Sequence, residues 1–136
     1  MRFPIKITEN FLIEPIMHTF GAKADVTFVE LEGGKLHVKM GGWFDEQLGI
    51  DEIASFAPSS WPWWGGLGVK LHHHGVGVVG STDGVVNVKL KAPRKVSVAL
   101  IPVQCEQLWL SLENREGFLE ALAAATNLPV SEHSPF

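Results

Sequence analysis

The sequence predicts a mainly β domain of about seven to nine short antiparallel strands followed by one C-terminal helix. Three observations carry that expectation. Apolar and polar residues alternate in short runs, clearest from Thr27 to Met40, Leu67 to His72 and Gln107 to Leu112. Turn-forming segments separate the runs, notably Gly33-Gly34 and Ser81-Thr82-Asp83-Gly84. Helical periodicity is confined to one segment after Asn114, so the βαβ alternation of a parallel sheet is missing.

The clearest element is a hairpin from Asp25 to Met40. Gly33-Gly34 suits a two-residue turn of the primed type, which both glycines can adopt without steric cost. Register then follows by counting outward: Glu32 opposite Lys35, Leu31 opposite Leu36, Val29 opposite Val38, Thr27 opposite Met40. One face is apolar; the other carries Phe28, Glu30, His37 and Lys39 and is expected to be solvated. Before it, Phe3 to Met17 reads as extended, with Pro4 and Pro15 suited to edge positions, and residues 18–23 read as a loop. After it, Gly41-Gly42 allows a bend. Trp43-Phe44 begins a strand ending near Leu48, and Asp51 to Phe56 alternates with Ile53 and Phe56 inward. Asp45, Glu46, Asp51 and Glu52 form an acidic patch.

Trp61 to Leu90 holds three of the five Trp, three of the six His and seven of the 14 Gly. Gly75 to Gly80 matches G-x-G-x-x-G, but strand-like residues follow where a nucleotide site needs a helix N-terminus. A hairpin across Ser81–Gly84 is the expected alternative, with Val79 opposite Val86 and Gly77 opposite Val88. Gly75 and Gly77 then leave room on an apolar face, and a tryptophan from residues 61–64 is a candidate occupant. Lys91 to Lys95 reads as a turn into Val96–Leu100, and Pro102 interrupts. Leu108, Leu110 and Leu112 share one face of the next strand. In the terminal helix Asn114 is the expected N-cap, Glu116 lies in the first turn, and Phe118, Leu119, Leu122 and Ala125 form the apolar stripe. Asn127 and Pro129 stop it. Met1-Arg2 and the tail 131–136 are expected to fray.

Composition bounds the function. The 136 residues suit a single domain, 46% apolar and 19% charged. A net charge of −4 gives no general attraction for nucleic acid. The apolar runs are too short for a transmembrane segment. The first ten residues carry no apolar signal-peptide core, and Cys105 is alone, so no disulfide forms within the chain. A cytoplasmic location is the default expectation, and no cofactor motif is complete.

Candidate chemistry is sparse. His72 and His74, two apart on one strand, project together and are weak metal candidates, but Lys70 beside them opposes a cation and no third ligand is evident. The expectation is therefore no metal. Cys105 has no catalytic signature around it. Trp61, Trp63 and Trp64 suit either packing or a partner- or ligand-binding anchor. Lys89, Lys91, Arg94 and Lys95 form the one basic cluster, which suits phosphate, an acidic partner or peripheral contact with an anionic membrane. Self-association is compatible with all of this.

The stretch LWLSLENREGFLEAL resembles the bacterial pleckstrin-homology-like (PH-like) proteins, in which a last strand ending in Ser and acidic residues runs into a helix of the D-P-E-x-F-x-x-A-L kind. The matching residues are Ser111, Glu113, Asn114, Glu116, Phe118, Ala121 and Leu122. The stretch GVGVVGS with the following GVVNVKL is similar to the middle strands of such proteins. The resemblance covers about residues 24–126. It implies a strongly bent antiparallel sheet, or two near-orthogonal sheets, with the helix plugging one open end. The families it resembles are mostly uncharacterised in function, and the leading expectation for this chain is a non-enzymatic binding or protein-interaction module of unknown partner. The lysine–arginine pattern that grips phosphoinositides is absent from Glu32-Gly33-Gly34-Lys35, and the terminal helix lacks a Trp, so phosphoinositide binding does not carry over. The alternative is a small-molecule-binding or metal-dependent enzyme using Trp61 to His74.

Overall fold

The computed structural model describes residues 1–6, 27–41, 44–61, 68–72, 75–79, 81 and 83–132. The expected extended stretch beyond Lys6, the loop at 18–23, Gly42-Trp43 and the last four residues of the tail lie outside them.

The described chain is mainly β, with two sheets and one C-terminal helix. Its strands are β1 (Arg2–Pro4), β2 (Thr27–Glu32), β3 (Lys35–Met40), β4 (Phe44–Gly49), β5 (Ile53–Pro58), β6 (Gly68–His72), β7 (Gly75–Val79), β8 (Val85–Val98) and β9 (Ile101–Ser111), followed by α1 (Arg115–Thr126). A short 3-10 helix, Ile50–Glu52, joins β4 to β5. The first sheet runs β1-β2-β3-β4 and the second β5-β8-β9-β7-β6.

The first hairpin has the register counted from its turn: Leu31 faces Leu36, Glu32 faces Lys35, Val29 faces Val38 and Thr27 faces Met40. Gly33 and Gly34 take φ of 59° and 74°, as the primed turn requires. Phe28 on the outer face is buried rather than solvated. The Arg2 guanidinium lies 3.9 Å above its ring, and His37 meets it edge-on. Met1 and Arg2 do not fray. Leu31 N–H donates to the Met1 carbonyl, the Met1 ammonium donates back to the Leu31 carbonyl, and Arg2 pairs with Glu30. The N-terminal strand then ties the two sheets together, because Lys6 N–H donates to the Ser111 carbonyl and Glu113 N–H to that of Pro4.

The second expected hairpin is not formed. β7 pairs antiparallel with β6, His72 opposite Gly75, and parallel with β9, Val76 opposite Leu108. β8 instead lies between β5 and β9, with Val86 facing Pro58 and Leu110. The reason is burial. Both faces of β7 are covered, as are those of β9 from Leu108 to Ser111, so each takes an interior place in the sheet. The chain then crosses the end of β9. Gly84, at φ 67°, sits so close to the Leu112 carbonyl that a Cβ would collide with it, and Leu112 N–H donates to the Gly84 carbonyl. The expected turn at Lys91–Lys95 is likewise strand. From Lys89 to Arg94, β8 advances five residues while β9 advances two, 107 to 105, and Pro93, which lacks a donor, falls in this bulge. Pro102 does not interrupt β9; it pairs with Ser97.

One apolar core draws on both sheets and the helix, including Phe3, Leu36, Phe56, Val88, Leu110 and Phe118. The helix is capped as expected. Asn114 accepts from Gly117 N–H, Asn127 closes the C-terminus in the left-handed conformation, and Phe118, Leu119 and Leu122 are buried. Ala125 is exposed, so the stripe ends one turn earlier than its period suggests. The start of the tail is held as well, since Ser131 N–H donates to the Phe56 carbonyl.

Candidate functional site

On the far side of the second sheet Trp61 is only 4% exposed and packs with Val79, Val85 and Trp109. A Cβ on Gly77 would lie 2.5 Å from its ring. The bare glycine is thus the seat of the tryptophan, and Trp61 itself is packing rather than an exposed anchor. Val86 and Val88 point instead to the main core, and Val85 takes the place beside Trp61. Trp63, Trp64, His73 and His74 lie outside the described residues, as does most of the region on which the enzyme alternative rests. Of His72 the backbone pairing in β6 is described.

The basic cluster separates into two kinds of residue. Lys89, Lys91 and Lys95 are exposed on β8. Arg94 turns the other way. Its Nη1 bonds both carboxylate oxygens of Glu52 at 2.9 and 2.7 Å, and its Nη2 bonds the Gln47 carbonyl at 2.8 Å. Residues 42 and 47 positions apart are thereby clasped, and the arm of the second sheet is fixed to the end of β4. The expected acidic patch and basic cluster meet here, around a recess of about 300 Å³ lined by Asp51, Glu52, Lys91, Ala92, Pro93 and Arg94. Arg94 is therefore a structural clasp rather than a free ligand-binding group.

Glu52 is held below its ordinary pKa of 4.5, first by the Gly49 N–H that donates to it at 2.8 Å and then by Arg94, against some desolvation. A depressed acid contributes stability above its unfolded pKa. That stability is lost as pH falls below about 4.5 through the lowered folded value. Arg94→Met is expected to destabilise the fold by about 1–2 kcal/mol at neutral pH, discounted for the pair's partial exposure. It should also weaken the acid sensitivity below pH 4.5. Urea midpoints of both proteins across that range check this; parallel pH profiles would show that the clasp is idle.

Cys105 and His37 each have a partner. Burial pushes the Cys105 thiol up to about 11, away from a reactive thiolate, and its Sγ–H donates to the Gln107 carbonyl. His37 Nε2 lies 2.5 Å from Asp45 on the outer face of the first sheet, beside a polar recess lined by Glu30, Lys35 and Gln47. No group of three or more His, Cys, Asp or Glu among the described residues is placed to hold a metal.

The feature that sequence reasoning missed is the tip of the β8–β9 hairpin. Ala99 and Leu100 form its two-residue turn with φ of 50° and 72°, a conformation that non-glycine residues rarely adopt. Leu100 is 92% exposed and Ile101 64%, and Pro102 beside them is exposed too. Behind the tip Val96 is buried, and Val98 and Val103 pack on the main core, so the turn stands on a fixed base. The Glu46 carboxylate accepts from Ser97 N–H at 2.8 Å, close behind the turn. A sequence signal does exist: Val96-Ser97-Val98 and Ile101-Pro102-Val103 flank the turn symmetrically, each apolar at both ends.

No helix among the described residues is long and apolar enough to cross a membrane. No known family model, curated protein or solved structure matches this chain.

Proposed function

We propose that the chain is a non-enzymatic binding module of the cytoplasm, built on a PH-like barrel, whose contact element is the β8–β9 tip. The observation that carries the reading is the Ala99-Leu100 turn. Two successive non-glycine residues at positive φ cost about 1–3 kcal/mol each, and Leu100 adds an apolar side chain held almost wholly in water. Glycine at position 100 would relieve the strain there and remove the exposed side chain, leaving only the cost at Ala99. A side chain kept there at such expense is accounted for by what it touches in a complex.

The PH-like architecture, with its near-orthogonal or strongly bent sheets, is supported by the order of elements. A meander β1-β2-β3-β4 is followed by a second, β5-β8-β9, and then by the helix that packs against Phe3 and β5. The β6–β7 hairpin is an addition on the free edge of β9, and its parallel pairing is a departure from the antiparallel pattern that the resemblance implies.

A photoreactive residue placed at position 100, and separately at the exposed Asp83, tests the reading in the source cells. Adducts formed at position 100 and not at 83 are expected. Equal labelling at both, or none at 100, would remove the tip as the contact element.

A further inference from the structure

The chain carries an apolar knob and an apolar socket near the same strand. The knob is Leu100 with Ile101, which stands behind the Glu46 position of β4 through the Ser97–Glu46 bond. The socket is a groove of about 380 Å³ beside the other end of β4. Leu31, the Gly33-Gly34 turn and Ile50 form one wall, Ala121, Ala124 and Ala125 of α1 the other, and Met1 lies at its edge. We propose that the tip of one copy seats in this groove of a second copy, so that the module self-associates. The proposal rests on the reading of the tip as the contact element.

Size permits the fit. Leu100 and Ile101 each have four side-chain carbons, and a cavity of about 150 Å³ already accommodates a benzene ring. The small side chains of the alanines and glycines in its walls leave room for two branched side chains. Charge favours it as well. Lys95 is exposed on the strand leading to the tip. The socket is edged by Glu32, and α1 carries exposed Glu116 and Glu120 with no basic residue in its last turn. The Met1 ammonium, 3.7 Å from Glu32, offsets part of that negative edge. An anionic bilayer is a poorer partner for the tip, because the Glu46 carboxylate sits directly behind the turn.

Reciprocal insertion, the knob of each copy in the socket of the other, gives a two-fold dimer that uses both contacts, whereas one-way insertion would add copies head to tail.

The test is sedimentation of the full chain over a wide concentration range. A monomer–dimer equilibrium that weakens with added salt is expected. Leu100→Gly removes the knob yet suits the backbone at φ 72°, so it should fold at least as well as the parent while dimerising about tenfold more weakly or worse. Ala124→Trp, at an exposed helix position, should fill the socket with the same loss. Mixed together, the two variants should form a heterodimer, because one intact knob meets one intact socket. A chain that stays monomeric at every concentration would overturn the proposal, as would a mixture no better than its components. Were position 100 still to label a different protein in cells, the self-association alone would fail and the contact element would stand. Were a monomeric chain to pellet with phosphatidylserine vesicles through Leu100, the bilayer would replace the second copy.

Discussion

Phe118→Ala is expected to lower the free energy of unfolding by about 3–5 kcal/mol, a large share of the stability of a domain this size. Phe118 is fully buried, and its ring meets Phe3 edge-on at 5.3 Å. Phe3 sits opposite Val29 in the first sheet, while Leu110 and Leu112 of the second share the same core. One side chain thus bridges β1, the helix and the floor of both sheets. A helix of 12 residues does not persist alone in water, so its order depends on this docking. The Asn114 cap, worth about 1 kcal/mol, cannot replace it. Glu120→Ala is the control, because Glu120 is exposed on the same helix and its removal should stay within about 0.5 kcal/mol. Urea midpoints compare the two. If they coincide, the helix does not seal the core, and the PH-like reading loses its main support.

The parts of the fold legible in the sequence are those whose geometry is set locally. Gly33-Gly34 within strict alternation fixes a register by counting, and a capped 3.6-residue stripe fixes a helix and its buried face. Gly75–Val79 is different. It is apolar on both faces, so a period of two carries no information about its neighbours. Its interior place in the sheet follows from burial of its own two faces and of those of β9 from Leu108 to Ser111. The parallel pairing to β9 spans some thirty residues, while the local turn residues at 81–84 suggested a contact with β8 that burial overrides.

The basic cluster shows the same limit at the level of single side chains. Lys89, Lys91 and Lys95 are exposed as their pattern implies, but nothing in Lys91-Ala92-Pro93-Arg94-Lys95 marks Arg94 as the residue that turns inward. That choice depends on a bulge and on Glu52, far away in sequence. The tip was hidden for a related reason. Its turn uses Ala99 and Leu100 where Asn or Gly would have announced a primed turn, so the run read as one strand broken by Pro102. The residues that make the turn hard to recognise are the same ones that make it a candidate contact.

Gly77→Val is expected to cost about 1–3 kcal/mol, at the upper end of that range for an overpacked site. A Cβ at position 77 would approach Cη2, Cζ3 and Cζ2 of Trp61 at 2.5, 2.8 and 3.1 Å, the first two closer than real contacts allow. The strand cannot give way, because β7 is paired on both edges, with Lys70 of β6 and Trp109 of β9 opposite Gly77. The ring cannot slide along the sheet either, since Val79, Val85 and Trp109 enclose it and the two indoles stand 5.9 Å apart. Trp61 must therefore leave its seat, and its emission should shift to the red as it meets water. Trp61→Ala alone should also destabilise, by the loss of a large buried side chain. The decisive comparison is the double variant. With the indole gone, the valine meets no obstacle, so Gly77→Val with Trp61→Ala should be no less stable than Trp61→Ala by itself, and the two effects should be strongly non-additive. Additive losses would mean that Gly77 is needed for its backbone and not for the space it leaves; an unchanged midpoint and emission in Gly77→Val would mean that Trp61 is not seated there at all.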